Sequence, residues 1–211
     1  MQMQTKAAAL AVFVMLAACG RMTDAPQIEP HWSCDGTEFA VQETDGGVTL
    51  HLPGRTAELA AVEGESRAFR GDDVAVTFGD ESAVLELDGT RHACEVKRWD
   101  GVPWAEARAR GASFRALGQE PGWYLEVVPG GEMTVVLDYG DRTFTLPAPE
   151  PTVLDGGARG YEAAQRAGGP ILVVVEPLVC FDGMSGHVFP ETVTVAVGED
   201  RYRGCGVSFK D

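Results

Sequence analysis

The sequence predicts an all-β protein: two small antiparallel β-barrel or sandwich domains, each with one disulfide, joined by a short helical linker. Three observations predict it. Apolar and polar residues alternate in short runs, turn residues separate those runs, and four cysteines fall as two sequence-local pairs on either side of a polar, helix-like segment.

The first domain is read over residues 32–97. Phe39 and Val41 share one face of a strand; Val48, Leu50 and Leu52 share another; Val74, Val76 and Phe78, then Ala83, Leu85 and Leu87, repeat the pattern. Asp45-Gly46-Gly47, Pro53-Gly54, Gly71-Asp72-Asp73, Gly79-Asp80-Glu81 and Asp88-Gly89 interrupt these runs, and several suit hairpins because glycine accepts positive φ.

Residues 98–118 read as a linker with a short helix, since Trp104, Ala105, Ala107, Arg108, Ala109 and Arg110 follow Pro103, which suits a first helical turn. The second domain, residues 119–211, alternates at Trp123, Leu125 and Val127 and at Met133, Val135 and Leu137. Pro147, Pro149 and Pro151 mark a loop or an edge, because proline brings no ladder donor. The continuous apolar run from Ile171 to Val175 predicts a strand buried on both faces. Four cysteines allow three connectivities; the local grouping favours Cys34 with Cys94 and Cys180 with Cys205, one staple per domain. A domain this small has a marginal core and gains from such a bond.

At the start of the chain, Lys6 precedes an apolar run from Ala7 to Ala18, the length of a signal-peptide core and short of the ~20 residues that span a bilayer. Leu16-Ala17-Ala18-Cys19 resembles the lipobox of bacterial lipoproteins. The resemblance implies cleavage of residues 1–18, a lipid on Cys19, and a tether over residues 19–31 that holds the folded part off the membrane. Gly20, where lipoproteins retained at the inner membrane tend to carry aspartate, favours the outer membrane, with the domains facing the periplasm.

The formal net charge of -15 excludes nucleic acid and anionic lipid surfaces as natural partners and would steer a basic protein in. His31, His51, His92 and His187 are scattered without metal-ligand spacing, so no metal is expected, and no glycine loop ahead of a helix suggests a nucleotide or other cofactor.

Cys34-Asp35-Gly36, the stretch from Leu85 to Cys94 and the two loops between them resemble the membrane-bound inhibitors of c-type lysozyme, small envelope β-barrels. Glu63-Gly64-Glu65-Ser66-Arg67-Ala68-Phe69 stands where that family has a Ser-Ala-Ser-Gly-Ala-Arg-Tyr type motif, and Val76-Thr77-Phe78-Gly79-Asp80 where it has Phe-Trp-x-Lys-Gly. The resemblance implies that these loops enter the lysozyme cleft, where a serine and a lysine meet two catalytic carboxylates. In this chain Gly79 takes the lysine's place and Glu65 or Ser66 the serine's, while Arg67 or Arg70 could supply a cation. Glu65, Ser66, Arg67, Arg70, Phe78, Gly79 and Asp80 are therefore the candidate partner-binding residues, and c-type lysozyme the implied partner.

Glu120-Pro121-Gly122-Trp123, Cys180-Phe181-Asp182-Gly183-Met184-Ser185-Gly186, Phe189-Pro190 and Tyr202-Arg203-Gly204-Cys205-Gly206 resemble a family of uncharacterised bacterial lipoprotein and membrane-associated domains, which implies a fold and an envelope location. Two other functions compete with inhibition. One is a structural or accessory envelope lipoprotein whose inhibitor scaffold has lost its lysine. The other is a hydrolase using Ser185, His187 and Asp182, which lacks the Gly-x-Ser-x-Gly spacing of a nucleophile elbow. No catalytic residue is assigned, and the protein is read as a binding protein.

Overall fold

The computed structural model describes residues 30–165 and 169–209; the leader and the lipidation candidate Cys19 lie outside the described residues. Eight consecutive strands form a closed barrel: β1 (His31–Cys34), β2 (Thr37–Thr44), β3 (Gly47–Leu52), β4 (Arg55–Ala61), β5 (Ala68–Arg70), β6 (Val74–Phe78), β7 (Ser82–Leu87) and β8 (Thr90–Val96). Each strand pairs with the next, and β8 returns to β1 with Trp32 opposite Val96 and Cys34 opposite Cys94.

The alternation dictates what fills the barrel. Trp32, Phe39, Val48, Leu50, Val76 and Leu85 point inward and are almost fully buried, enough bulk to pack the narrow interior of an eight-stranded barrel. The Cys34–Cys94 disulfide clasps the closing seam. Because the strands run up and down in order, the connections β2–β3, β4–β5 and β6–β7 share one rim and the remaining turns share the other.

After the barrel comes α1 (Val102–Ala109), with a proline in its first turn. The second domain is a curled half-barrel of β9 (Phe114–Gln119), β10 (Gly122–Val127), β11 (Glu132–Leu137), β12 (Arg142–Pro147), β13 (Thr152–Val153), β14 (Arg159–Ala163), β15 (Ile171–Glu176), β18 (Glu191–Val197) and β19 (Asp200–Ser208). Their order across the sheet is β12-β11-β10-β9-β19-β18-β15-β14-β13. A small hairpin of β16 (Cys180–Phe181) and β17 (Val188–Phe189) is tied to β19 by the Cys180–Cys205 disulfide. Phe114, Trp123, Leu125, Met133, Val135, Ile171, Val173 and Tyr202 are among the residues filling the concave side.

Two expectations require correction. The sheet starts at Phe114, inside the segment read as linker: Phe114, Ala116 and Gly118 lie on one face but the last two are small, so the alternation carries little apolar weight. The run from Ile171 to Val175 is buried on one face only, with Leu172 41% exposed, because no layer covers the convex side there. The proline segment behaves as expected: Pro147 ends edge strand β12, and Pro149 and Pro151 lie in the connection to the other edge strand, β13.

The two domains are joined by packing as well as by chain. Trp99 stacks on Phe189 with ring centroids 4.6 Å apart, and Trp104 lies 5.6 Å from the same ring. A helix of eight residues is marginal alone, so this contact and the hold of Arg110 on buried Glu126 fix α1.

Candidate functional site

The candidate residues come from the loop between β4 and β5 and the turn between β6 and β7, which meet at one rim of the barrel. Their backbones are tied where Phe78 N–H donates to Arg67 carbonyl oxygen at 2.9 Å, and their side chains where Arg67 Nη1 donates to Asp80 Oδ1 at 3.1 Å. Glu65 N–H folds back on Val62 carbonyl oxygen, and Gly64 turns the loop with φ of 79°. Arg67 itself has φ of 63°, a left-handed conformation that costs a side chain energy and is held here by the pairing on either side.

The rim has an acidic character. Asp80 is 99% exposed and Glu81 78% at their side chains, and Glu63 and Glu65 are exposed on the neighbouring loop. Two arginines bracket the turn: Arg67 reaches Asp80, and Arg98, beyond the end of β8, reaches Glu81 at 2.5 Å. The Arg98–Glu81 pair faces water, where such a contact contributes little and exchanges readily with a partner's charges, whereas the Arg67 side chain is only 18% exposed and presents Asp80 from below.

Of the candidates, Glu65, Ser66, Arg67, Gly79 and Asp80 therefore share the rim. Phe78 does not: it is 4% exposed and its ring packs 5.4 Å from Trp32 inside the barrel, the position that its alternation with Val74 and Val76 requires. Arg70 is also displaced, since it ends β5 opposite Ala60 and Ala75 and leads into the turn at the other rim. Gly79 is crowded: its N–H donates to Ser82 carbonyl oxygen at 2.6 Å, and a Cβ there would stand 3.0 Å from Ser82 Oγ. A lysine at this position would need that turn to shift. Arg98 was outside the candidate set, and the signal that places it, the Val96 N–H bond to Glu81 carbonyl oxygen, is a pairing the linear sequence does not display.

The Ser185 region has a different geometry from a catalytic triad. Ser185 Oγ donates to Asp182, and the His187 ring turns away to Glu38 of the barrel, with Nδ1 at 2.8 Å from Oε1. Asp182 also accepts from Gln119 Nε2 and the Ser185 N–H, both at 3.2 Å, so it organises its own loop. Burial raises its proton affinity, but the hydrogen bonds from Ser185, Met184 and Gln119 outweigh that and hold the carboxyl below its ordinary value.

Among the described residues, no three of His, Cys, Asp and Glu are gathered as a metal site, and no helix is long and apolar enough to cross a membrane. No family model and no curated protein matches the chain.

Proposed function

We propose that this protein is an envelope lipoprotein whose barrel binds a basic muramidase of the c-type lysozyme class through the rim formed by residues 62–67 and 79–81. The observation that carries the reading is the Arg67–Asp80 pair, which joins the two loops named by the resemblance into one exposed surface. Exposed carboxylates on that surface suit a basic partner and speed its approach, and Arg98, whose side chain is 61% exposed, offers a cation to carboxylates in the partner's cleft.

A second reading is favoured by a specific observation. Gly79 stands in the lysine's place with Ser82 packed against it, and Arg67 is already engaged by Asp80, as in an inhibitor scaffold that has turned to another protein partner.

The test is the rate of c-type lysozyme against increasing concentration of the chain from Asp24 onward, which retains every described residue, with both disulfides formed. Stoichiometric inhibition that weakens with salt is expected, and Arg67→Ala should reduce it. No inhibition at high micromolar concentration would reject the lysozyme reading and leave the second.

A further inference from the structure

The two disulfides stand in different surroundings. Cys34 and Cys94 are both buried in the seam of the closed barrel, whereas Cys180 is half-buried and ties a hairpin of two residues per strand to β19. Beside the second bond an open cavity of about 280 Å³ is lined by both cysteines and by Leu117, Gln119, Phe181 and Arg203 among others, and it shares no residue with the rim. Thiol–disulfide exchange needs a thiolate to reach one sulfur, so access decides which bond reacts.

The surroundings of this bond suit such an approach. Asp182 is buried, with its oxygens engaged by Ser185 and Gln119, while Arg203, two residues from Cys205 on the same face of β19, is exposed and forms no ion pair among the described residues. A cation beside a disulfide favours the thiolates that exchange creates. Leu178, Phe181 and Met184 are exposed, an apolar surface gathered within four residues of Cys180 in the chain, on which a protein thiol donor can dock. The tied hairpin also carries the half-barrel's hold on the barrel: the His187 ring and Val188 N–H meet Glu38, and Phe189 stacks on Trp99.

We propose that Cys180–Cys205 is an exchange site for a dithiol oxidoreductase, separate from the rim, and that its reduction frees the hairpin that docks the domains. One thiolate of the partner attacks Cys180 Sγ, the Cys180–Cys205 bond breaks, and buried Cys205 leaves as a thiolate that takes a proton from water. The partner's second thiolate attacks its own sulfur in the mixed disulfide and releases Cys180, which is protonated in turn. Two electrons pass to the cysteines and the partner's dithiol becomes a disulfide.

The probe is reduced thioredoxin, added to the folded chain from Asp24 onward, with free thiols alkylated and located by peptide mass spectrometry. Cys180 and Cys205 should be labelled at least about tenfold faster than Cys34 and Cys94, and thioredoxin lacking its resolving cysteine should be trapped on Cys180. Leu178→Ser with Met184→Ser should slow thioredoxin about tenfold but leave reduction by dithiothreitol, which needs no docking surface, within about twofold. Hydrogen exchange of the protein reduced at this bond should rise across β16 and β17. Equal labelling of the two pairs, trapping on Cys205, an unchanged thioredoxin rate in the double-serine variant, or a hairpin still protected after reduction would overturn the proposal.

Discussion

His187 Nδ1 lies 2.8 Å from Glu38 Oε1, a contact between residues 149 apart in sequence that joins the half-barrel's hairpin to the outside of the barrel. The same carboxylate accepts from Lys97 Nζ and, at 3.1 Å, from the Val188 N–H, and its side chain is only 11% exposed. Burial raises its proton affinity, yet the Lys97 and Val188 hydrogen bonds, the Lys97 charge and His187 together hold the Glu38 carboxyl below its ordinary value. A depressed folded value means that Glu38 stabilises the docked domains above the ordinary glutamate range, about pH 4.3, and that this contribution is lost as pH falls through the lower folded value. Glu38→Gln should cost about 2–4 kcal/mol in urea unfolding at neutral pH and resolve one transition into two. It should also remove part of the acid-dependent loss of stability. Unchanged cooperativity would mean that the ring contacts of Trp99 and Trp104 suffice.

How much of this was legible in the sequence depends on the range of the interaction. Val48, Leu50 and Leu52 announce a strand because the signal is local, and the paired cysteines announce the β1–β8 seam because a covalent bond marks it. Strand β9 escapes because Ala116 and Gly118 are small, and Gly118 is small because the Trp123 indole crosses it. At the site, the two loops were readable from the resemblance, but the burial of Phe78 was already implied by its own alternation with Val76. Glu38 and His187 carry no sequence mark of each other; only the docked domains bring them together.

The two disulfides should differ in worth. Cys34 and Cys94 are 60 apart in sequence and Cys180 and Cys205 are 25 apart, so the first removes more freedom from the unfolded chain. Replacing both cysteines of the first pair by alanine should cost about 4 kcal/mol and the second pair about 3.5 kcal/mol on the loop-entropy scale. The location of the loss separates them better than its size. Hydrogen exchange should rise across β1 and β8 in one variant and across β16, β17 and β19 in the other, and uniform loss in either would contradict the assignment of one staple to each domain.

Gly204 lets β19 and β9 approach under the Trp123 indole. A Cβ at this position would stand 2.0 Å from the Leu117 carbonyl oxygen and 2.8 Å from Trp123 Cζ2, and the first of these is backbone that cannot rotate away. Trp123 is fixed in turn by its Nε1–H bond to Arg203 carbonyl oxygen at 3.3 Å. Gly204→Ala should therefore cost about 3 kcal/mol by overpacking, lower the urea midpoint and shift tryptophan emission to the red. An alanine variant as stable as the parent would mean that the sheet relaxes there at little cost.

Ser185 supplies the sharpest separation of structural from catalytic roles. Its hydroxyl donates to Asp182, whose own N–H donates to the His187 carbonyl oxygen at 2.9 Å, closing the loop on itself. Ser185→Ala removes one donor from a carboxylate held below its ordinary value, leaving the bonds from the Met184 and Ser185 N–H groups and Gln119. The folded Asp182 value should therefore rise toward the ordinary aspartate value, so the stabilisation it gives at neutral pH shrinks by about 1–2 kcal/mol and is lost at a higher pH on acidification. Carboxyl NMR titration reads the first change and acid unfolding the second. Hydrolysis of a p-nitrophenyl ester should be the same for parent and variant, because the Ser185 hydroxyl is bonded to Asp182 and meets the backbone N–H of His187, whose ring is turned to Glu38; a parent activity abolished by Ser185→Ala would instead make the hydroxyl a nucleophile.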